Sequence, residues 1–316
     1  MERTKQKAKI ILTSFLCIAM CVLGAKVPLG NPLTTMVGAG ALAVLVFRAP
    51  LWVPALTVVL GAAFSFALGC SLGLVISAML CMLAAGVAMG VCMKREYSFK
   101  QLMLVLIAVV TLINGGLSLL SVYLNFGSIT VDNMLAPYED IYYTMEQAFV
   151  AAGNTAYEAS MAVKGIRDFM GSVLIGYIVL SSMLIAFGAC LCTLGLMWLL
   201  YRVVFPQYRF LRSFQVSRVG GIFFLISFLG MIVFTDRIMV GAFSNFVLIF
   251  APVFLLEGLS LLEWNFNRMG MKWLTKAALY ICIFATLFLP FVNMVNACVA
   301  LGVLDSLADY RKTRRK

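Results

Sequence analysis

Histidine is absent from this chain of 316 residues, and charged side chains make up only 12% of it. Without histidine, and without cysteines grouped at zinc-ligand spacing, no metal site is expected. The sequence also lacks a phosphate-binding glycine loop, a nucleophile elbow and an HExxH helix, so we expect neither a cofactor nor catalysis. Its nine cysteines lie in or beside apolar segments, which favours packing roles over disulfides.

Apolar residues account for 63% of the chain and occur in long unbroken runs. A bilayer accepts about 20 consecutive apolar residues as a helix, whereas a membrane β-barrel shows alternating segments of about ten. We therefore predict an all-α fold, a polytopic transmembrane helix bundle whose first partner is the lipid bilayer.

Charged borders divide the apolar runs into ten candidate spanning segments. They cover residues 10 to 25, 33 to 47, 51 to 69, 72 to 93, 101 to 124, 170 to 200, 219 to 235, 238 to 262, 274 to 290 and 291 to 307. If one short segment re-enters the membrane, another must be lost with it, so eight crossings are the alternative to ten. The basic N-terminus also suits a signal peptide, but no convincing cleavage site follows, and a retained first helix is preferred.

The distribution of Lys and Arg predicts the orientation. With a cytoplasmic N-terminus and alternating segments, all but four of the 24 Lys and Arg fall on the cytoplasmic side. Both termini are then cytoplasmic. The net charge of +11 is spread over loops and does not indicate nucleic acid. The basic stretches 202 to 218 and 311 to 316 are either sites for anionic lipid headgroups or ordinary topology signals.

The longest stretch between apolar segments, residues 125 to 169, separates an N-terminal transmembrane half (1 to 124) from a C-terminal half (170 to 316) with a basic tail. After Pro137, apolar and tyrosine side chains recur at i, i+3 and i+4, which predicts an amphipathic helix. This extracytoplasmic stretch is either an interfacial connector or a lid over an outward-facing cavity.

Small residues recur at every fourth position of the third and fourth segments. They include Gly61, Ser65, Gly69, Gly73 and Ser77. Such stripes let helix backbones approach closely. They serve either packing within the bundle or docking of another membrane subunit.

Polar side chains inside apolar segments are costly in lipid, which makes them candidate functional residues. Candidate contacts for a small solute are the amide side chains of Asn31, Asn114, Asn293 and Asn296. Each of these amides alternatively forms a hydrogen bond with a neighbouring helix.

Acidic residues near the ends of the later segments form a second group of candidates. Glu257 lies either inside the bundle, protonated or paired, or at the cytoplasmic interface. Asp305 and Asp309 share one helical face just before Arg311. We interpret them as an electrostatic anchor for basic groups of the loops or the tail.

Two short stretches resemble the YybS-like proteins, a family of bacterial membrane proteins of unknown function. One runs from Gly302 through Asp305 and Asp309 to Arg311, and the other is Glu257-Gly258-Leu259-Ser260. The resemblance implies a bacterial cytoplasmic membrane protein related to the S components of energy-coupling-factor vitamin transporters. S components capture small solutes and dock on a transmembrane coupling subunit through small-residue helix faces.

The leading hypothesis is therefore a small-solute-binding or transport subunit that resembles an S component and relies on a partner for energy. The alternative is a membrane scaffold or regulatory protein that acts through its basic cytoplasmic loops and binds no solute.

Overall fold

The computed structural model describes residues 2–27, 31–205, 214–286 and 293–313, without the side chains of residues 2, 3, 31, 312 and 313. Throughout these ranges the regular secondary structure is helical, which confirms the all-α prediction. The helices are α1 (Glu2–Lys26), α2 (Asn31–Arg48), α3 (Trp52–Ala67), α4 (Leu72–Lys94), α5 (Phe99–Phe126), α6 (Val131–Leu135), α7 (Glu139–Ala151), α8 (Ala156–Ser172), α9 (Leu174–Tyr201), α10 (Arg218–Val233), α11 (Arg237–Arg268), α12 (Trp273–Ala285), α13 (Met294–Ala308) and α14 (Tyr310–Thr313).

The apolar helices follow the predicted segments in order. Five are long and apolar enough to cross a membrane: α1 from Thr4, α4, α5, α9 and α11. The apolar helices α2, α3, α10, α12 and α13 are shorter. Because length decides whether such a helix spans the bilayer unaided, the choice between ten and eight crossings stays a prediction.

Helix ends are set by local capping groups. Ser98 accepts a hydrogen bond from the Gln101 backbone N–H, and the Gln101 side chain accepts one from the Ser98 N–H, which together start α5. Gly127 ends α5 with a φ of 71°, a left-handed conformation that favours glycine. Asp236 accepts the Met239 N–H at 3.1 Å and starts α11.

The chain forms two compact units. The first comprises residues 1–134 and 181–208, and the second comprises residues 135–180 and 209–316. Each unit has its own buried apolar residues, and helix α9 contributes to both units.

Helix α2 forms the core of the first unit, where residues 41 to 46 are at most 2% exposed. Glycines let its neighbours pack closely. A Cβ added to Gly86 of α4 would lie 2.8 Å from the Leu42 Cβ, and one added to Gly40 would lie 2.7 Å from the Cys192 Cβ of α9. These positions therefore accept no larger side chain without a shift of the helices.

Helix α11 forms the core of the second unit. The fully buried Phe254 lies with its ring centroid 5.0 Å from that of Phe224 in α10, and Val303 of α13 completes the cluster. The α8–α9 junction is joined to α11 by Asn245, whose amide donates to the Ser172 carbonyl at 2.8 Å and whose side-chain oxygen accepts the Gly176 N–H.

Helix α7 corresponds to the amphipathic helix predicted after Pro137, and α8 follows it. An ion pair of 2.8 Å joins Arg167 of α8 to Glu139 of α7. Burial raises the pKa of Tyr142, and the nearby Arg167 opposes that rise. At the start of α8, the backbone N–H and the hydroxyl of Thr155 donate to the Glu158 carboxylate and lower its pKa.

Candidate functional site: an apolar cleft beside a buried ion cluster

The helices α11 and α13 of the second unit pack backbone against backbone. A Cβ added to Gly258 would collide with the Cys298 carbonyl, and one added to Gly302 would collide with the Phe254 carbonyl. Glycine is therefore required at both positions for this contact. The contact also brings together the two sequence stretches that carry the family resemblance.

Charged and polar side chains cluster where these two stretches meet. The Arg311 guanidinium donates from Nε to Asp305 Oδ2 at 2.9 Å, from Nη1 to Ser260 Oγ at 3.0 Å, and from Nη2 to the Glu257 carbonyl at 3.4 Å. All four residues are at most 6% exposed, and Glu257 is fully buried. This buried ion cluster links α11, α13 and α14.

A reversal of the chain brings Arg311 back to the cluster. Asp309 ends α13 in a left-handed conformation with a φ of 47°, and its carboxylate accepts a 2.9 Å hydrogen bond from the Gln215 side chain. Asp305 and Asp309 therefore have separate partners. Asp305 holds the buried arginine, and Asp309 holds the segment that precedes α10.

An apolar cleft of about 530 Å³ lies between α10, α11 and α13. Phe224 and Phe228 of α10, Val247 and Ala251 of α11, and Val303 of α13 form much of its wall. The lining also includes Asn296, a polar residue. Chemically, the cleft suits an apolar molecule that carries a hydrogen-bonding group.

The described solute-contact candidates belong to both units. Asn114 donates to Ser181 at 3.3 Å within the first unit, whereas Asn296 lines the cleft of the second. Asn293 caps α13, where its side chain accepts the backbone N–H groups of Val295 and Asn296. The side chain of Asn31 lies outside the described residues.

Two residues of the small-residue stripes pack inside the first unit. A Cβ on Gly61 would lie 2.9 Å from Cys21 Sγ of α1, and Ser65 is fully buried. Gly69 lies beyond the end of α3, in a turn with a φ of 76°. Gly73 has open space around its Cα, and Ser77 is half-buried. Subunit docking through these stripes stays a prediction.

Sequence reasoning overlooked the bridging role of Asn245. Its amide sits in an apolar helix, so the cost of a polar group in lipid, which singled out Asn114, also applies to Asn245. The packing role of Gly302 was also missed, because the sequence does not show which helix lies against this glycine.

The length and apolar composition of the helices define the class: an integral membrane protein built from apolar helices. The chain belongs to the family described as "Predicted membrane protein (DUF2232)", whose model matches residues 10–306. No curated protein and no solved structure matches the chain. Family membership and the apolar helices together place the protein in a lipid membrane.

Proposed function

We propose that the protein is a small-solute-binding or transport subunit of the bacterial cytoplasmic membrane, akin to the YybS-like proteins and to S components. The observation that carries the proposal is the cleft between α10, α11 and α13. Ligand sites have volumes of about 300–1,000 Å³ and are mostly apolar, with a few polar groups that orient the ligand. The cleft has both properties.

The chemistry of the lining narrows the solute class. Carbon-rich walls from Phe224, Phe228 and Val247 favour an apolar body, and the Asn296 amide offers a donor and an acceptor. A charged solute would lose its hydration without a compensating charge from these walls. The proposed solute is therefore small, uncharged and largely apolar.

Energy coupling falls to another subunit on this proposal, because the sequence contains no phosphate-binding loop. Gly73 and Ser77 on α4 are the proposed contact points for such a subunit. The space around Gly73 would let a partner helix approach the backbone closely. The protein itself then binds and releases a solute and catalyses no reaction.

A scaffold or regulatory role is the second candidate, and a specific surface favours it. Lys94, Arg95 and Lys100 are all exposed around the turn between α4 and α5. This turn lies on the predicted cytoplasmic side, where clustered cations attract acidic partners.

A ligand screen by thermal shift, on the full chain in nanodiscs, tests the leading proposal. An uncharged apolar solute should raise the Tm of the wild type. Ala300→Phe, which fills the cleft, should abolish that rise, whereas Ala297→Phe, at an exposed position of α13 outside the lining, should preserve it. Asn296→Ala should weaken binding, with Asn125→Ala as the matched exposed amide.

Two outcomes would overturn solute binding in the cleft. One is a ligand-induced Tm rise that survives Ala300→Phe. The other is a screen in which no ligand raises the Tm, together with a co-purifying partner that is lost when Lys94, Arg95 and Lys100 are all changed to Gln. That result would support the scaffold role.

A further inference from the structure

The cations Lys9 and Arg48 converge on the ring of one tyrosine in the first unit. The apolar cleft belongs to the second unit. Lys9 Nζ lies 5.4 Å from the Tyr201 ring centroid, and Arg48 Cζ lies 5.3 Å from the same centroid. The two cationic groups are thus no more than about 11 Å apart. Both distances are within the range of cation–π attraction.

The ends of three helices create this convergence. Lys9 lies near the start of α1, Arg48 is the last residue of α2, and Tyr201 is the last residue of α9. The charge distribution of the sequence predicts that all three ends face the cytoplasm. Their meeting within one unit agrees with that topology.

The electrostatics of the cluster favour an anion. Residues 1–134 and 181–208 contain ten Lys and Arg against three Asp and Glu. Arg48 Nε is buried and has no hydrogen-bond partner among the described residues. Arg202, which follows Tyr201 in the chain, is exposed, and its Cζ lies 5.5 Å from the centroid of the Trp198 ring. Two cations held against one ring gain from a shared counter-ion, and a planar guanidinium suits phosphate oxygens.

We infer that Lys9, Arg48 and Tyr201 form a binding site for a phosphate group, supplied by the headgroup of an anionic phospholipid in the predicted cytoplasmic leaflet. The lysine and arginine pair with the phosphate oxygens. The tyrosine ring holds both cations in place, and the lipid chains extend along the apolar helices. Basic pockets between transmembrane helices on the cytoplasmic side of membrane proteins are suited to such headgroups.

Native mass spectrometry of the full chain tests the site. The protein is taken from nanodiscs of phosphatidylcholine mixed with phosphatidylglycerol and is delipidated in steps. The wild type should retain phosphatidylglycerol after phosphatidylcholine is gone. The double variant K9Q/R48Q should lose this preference, whereas K94Q/R95Q, which removes the same charge from the α4–α5 turn of the same unit, should keep it.

A thermal-shift arm distinguishes the sources of phosphate. In detergent, phosphatidylglycerol should raise the Tm of the wild type and inorganic phosphate should not. An equal rise with inorganic phosphate would overturn the lipid assignment. Loss of the preference in K94Q/R95Q as well would show that net charge, and not this site, selects the lipid.

If K9Q/R48Q does not fold, lipid retention by the wild type still tests the site. No preferential retention of phosphatidylglycerol by the wild type would overturn the site. The single variants K9Q and R48Q then provide the test of each cation, and an unchanged preference in both would also count against it.

Discussion

Arg311 Nε and Asp305 Oδ2 lie 2.9 Å apart, and the two side chains are only 8% and 0% exposed. The pair joins α14 to α13 around the left-handed Asp309. Because Arg311 also donates to Ser260 of α11, the start of the basic tail is fixed inside the second unit.

Removal of Arg311 should destabilise the second unit strongly. Arg311→Met leaves Asp305 buried without its cation, and breaking a buried pair in this way costs about 3–5 kcal/mol. We expect the Tm in detergent, measured by circular dichroism, to fall. The control variant Lys272→Gln, at an exposed position of the same unit, should change the Tm little.

The double variant Arg311→Met/Asp305→Leu should recover much of the lost stability, because no buried charge from the pair then remains unpaired. A double variant no more stable than Arg311→Met would show that the pair is not the source of the effect.

Alanine at Gly302 should disrupt the contact between α11 and α13. The added Cβ would collide with the Phe254 carbonyl, which is backbone and cannot move alone. We expect reduced folded yield and a lower Tm, measured by size-exclusion chromatography and thermal unfolding.

Gly165→Ala is the matched control, because this exposed glycine of α8 has open space around it. Alanine there should stabilise the helix by about 0.5–1 kcal/mol. Equal losses in the two variants would contradict the packing explanation for Gly302.

The N-terminus of α8 should loosen in acid. Thr155 lowers the pKa of Glu158 in the folded protein. The resulting stability is fully present above the unfolded pKa of about 4.3 and is lost as the pH falls through the lowered folded pKa. Hydrogen exchange of the first turn of α8, corrected for intrinsic rates, should report this loss.

Glu158→Gln should remove this pH dependence and keep the cap, since glutamine also accepts the Thr155 N–H. Thr155→Ala should weaken the cap at every pH. A wild-type pH response that persists unchanged in Glu158→Gln would assign it to another group.

Reporter fusions should confirm the predicted orientation. Green fluorescent protein fused after Lys316 should fluoresce, because we expect the C-terminus in the cytoplasm. Alkaline phosphatase fused after Gly127 should be active, because residues 125 to 169 are predicted outside. An active phosphatase at Lys316 would refute the predicted cytoplasmic C-terminus.

Apolar runs and turn residues predicted the helices well because both signals are local. The amphipathic helix after Pro137 appears as α7, and Gly153 follows its end with a φ of 99°. The final apolar helix was less well bounded: the predicted segment begins at residue 291, whereas α13 starts at Met294 and Asn293 is its N-cap.

Contacts between helices far apart in sequence were not predictable in the same way. Periodicity indicates which face of a helix is apolar, but it does not indicate the neighbour. The contact of Gly258 with Cys298, and the reach of Arg311 to Glu257, depend on which helices pair and on their relative shift. The sequence predicted that Asp305 anchors basic groups of the loops or the tail, but it did not show that Arg311 also reaches Ser260 and the Glu257 carbonyl.

The short helices α3 and α10, one from each unit, affect the expected thickness of the lipid bilayer around them. Each has 16 residues and is therefore about 24 Å long, against a hydrocarbon core of about 30 Å. On the predicted ten-crossing topology, the lipid beside an upright helix of this length compresses so that its chains are not exposed to water. Such hydrophobic mismatch would favour thinner bilayer regions and shorten the path across the membrane next to these helices.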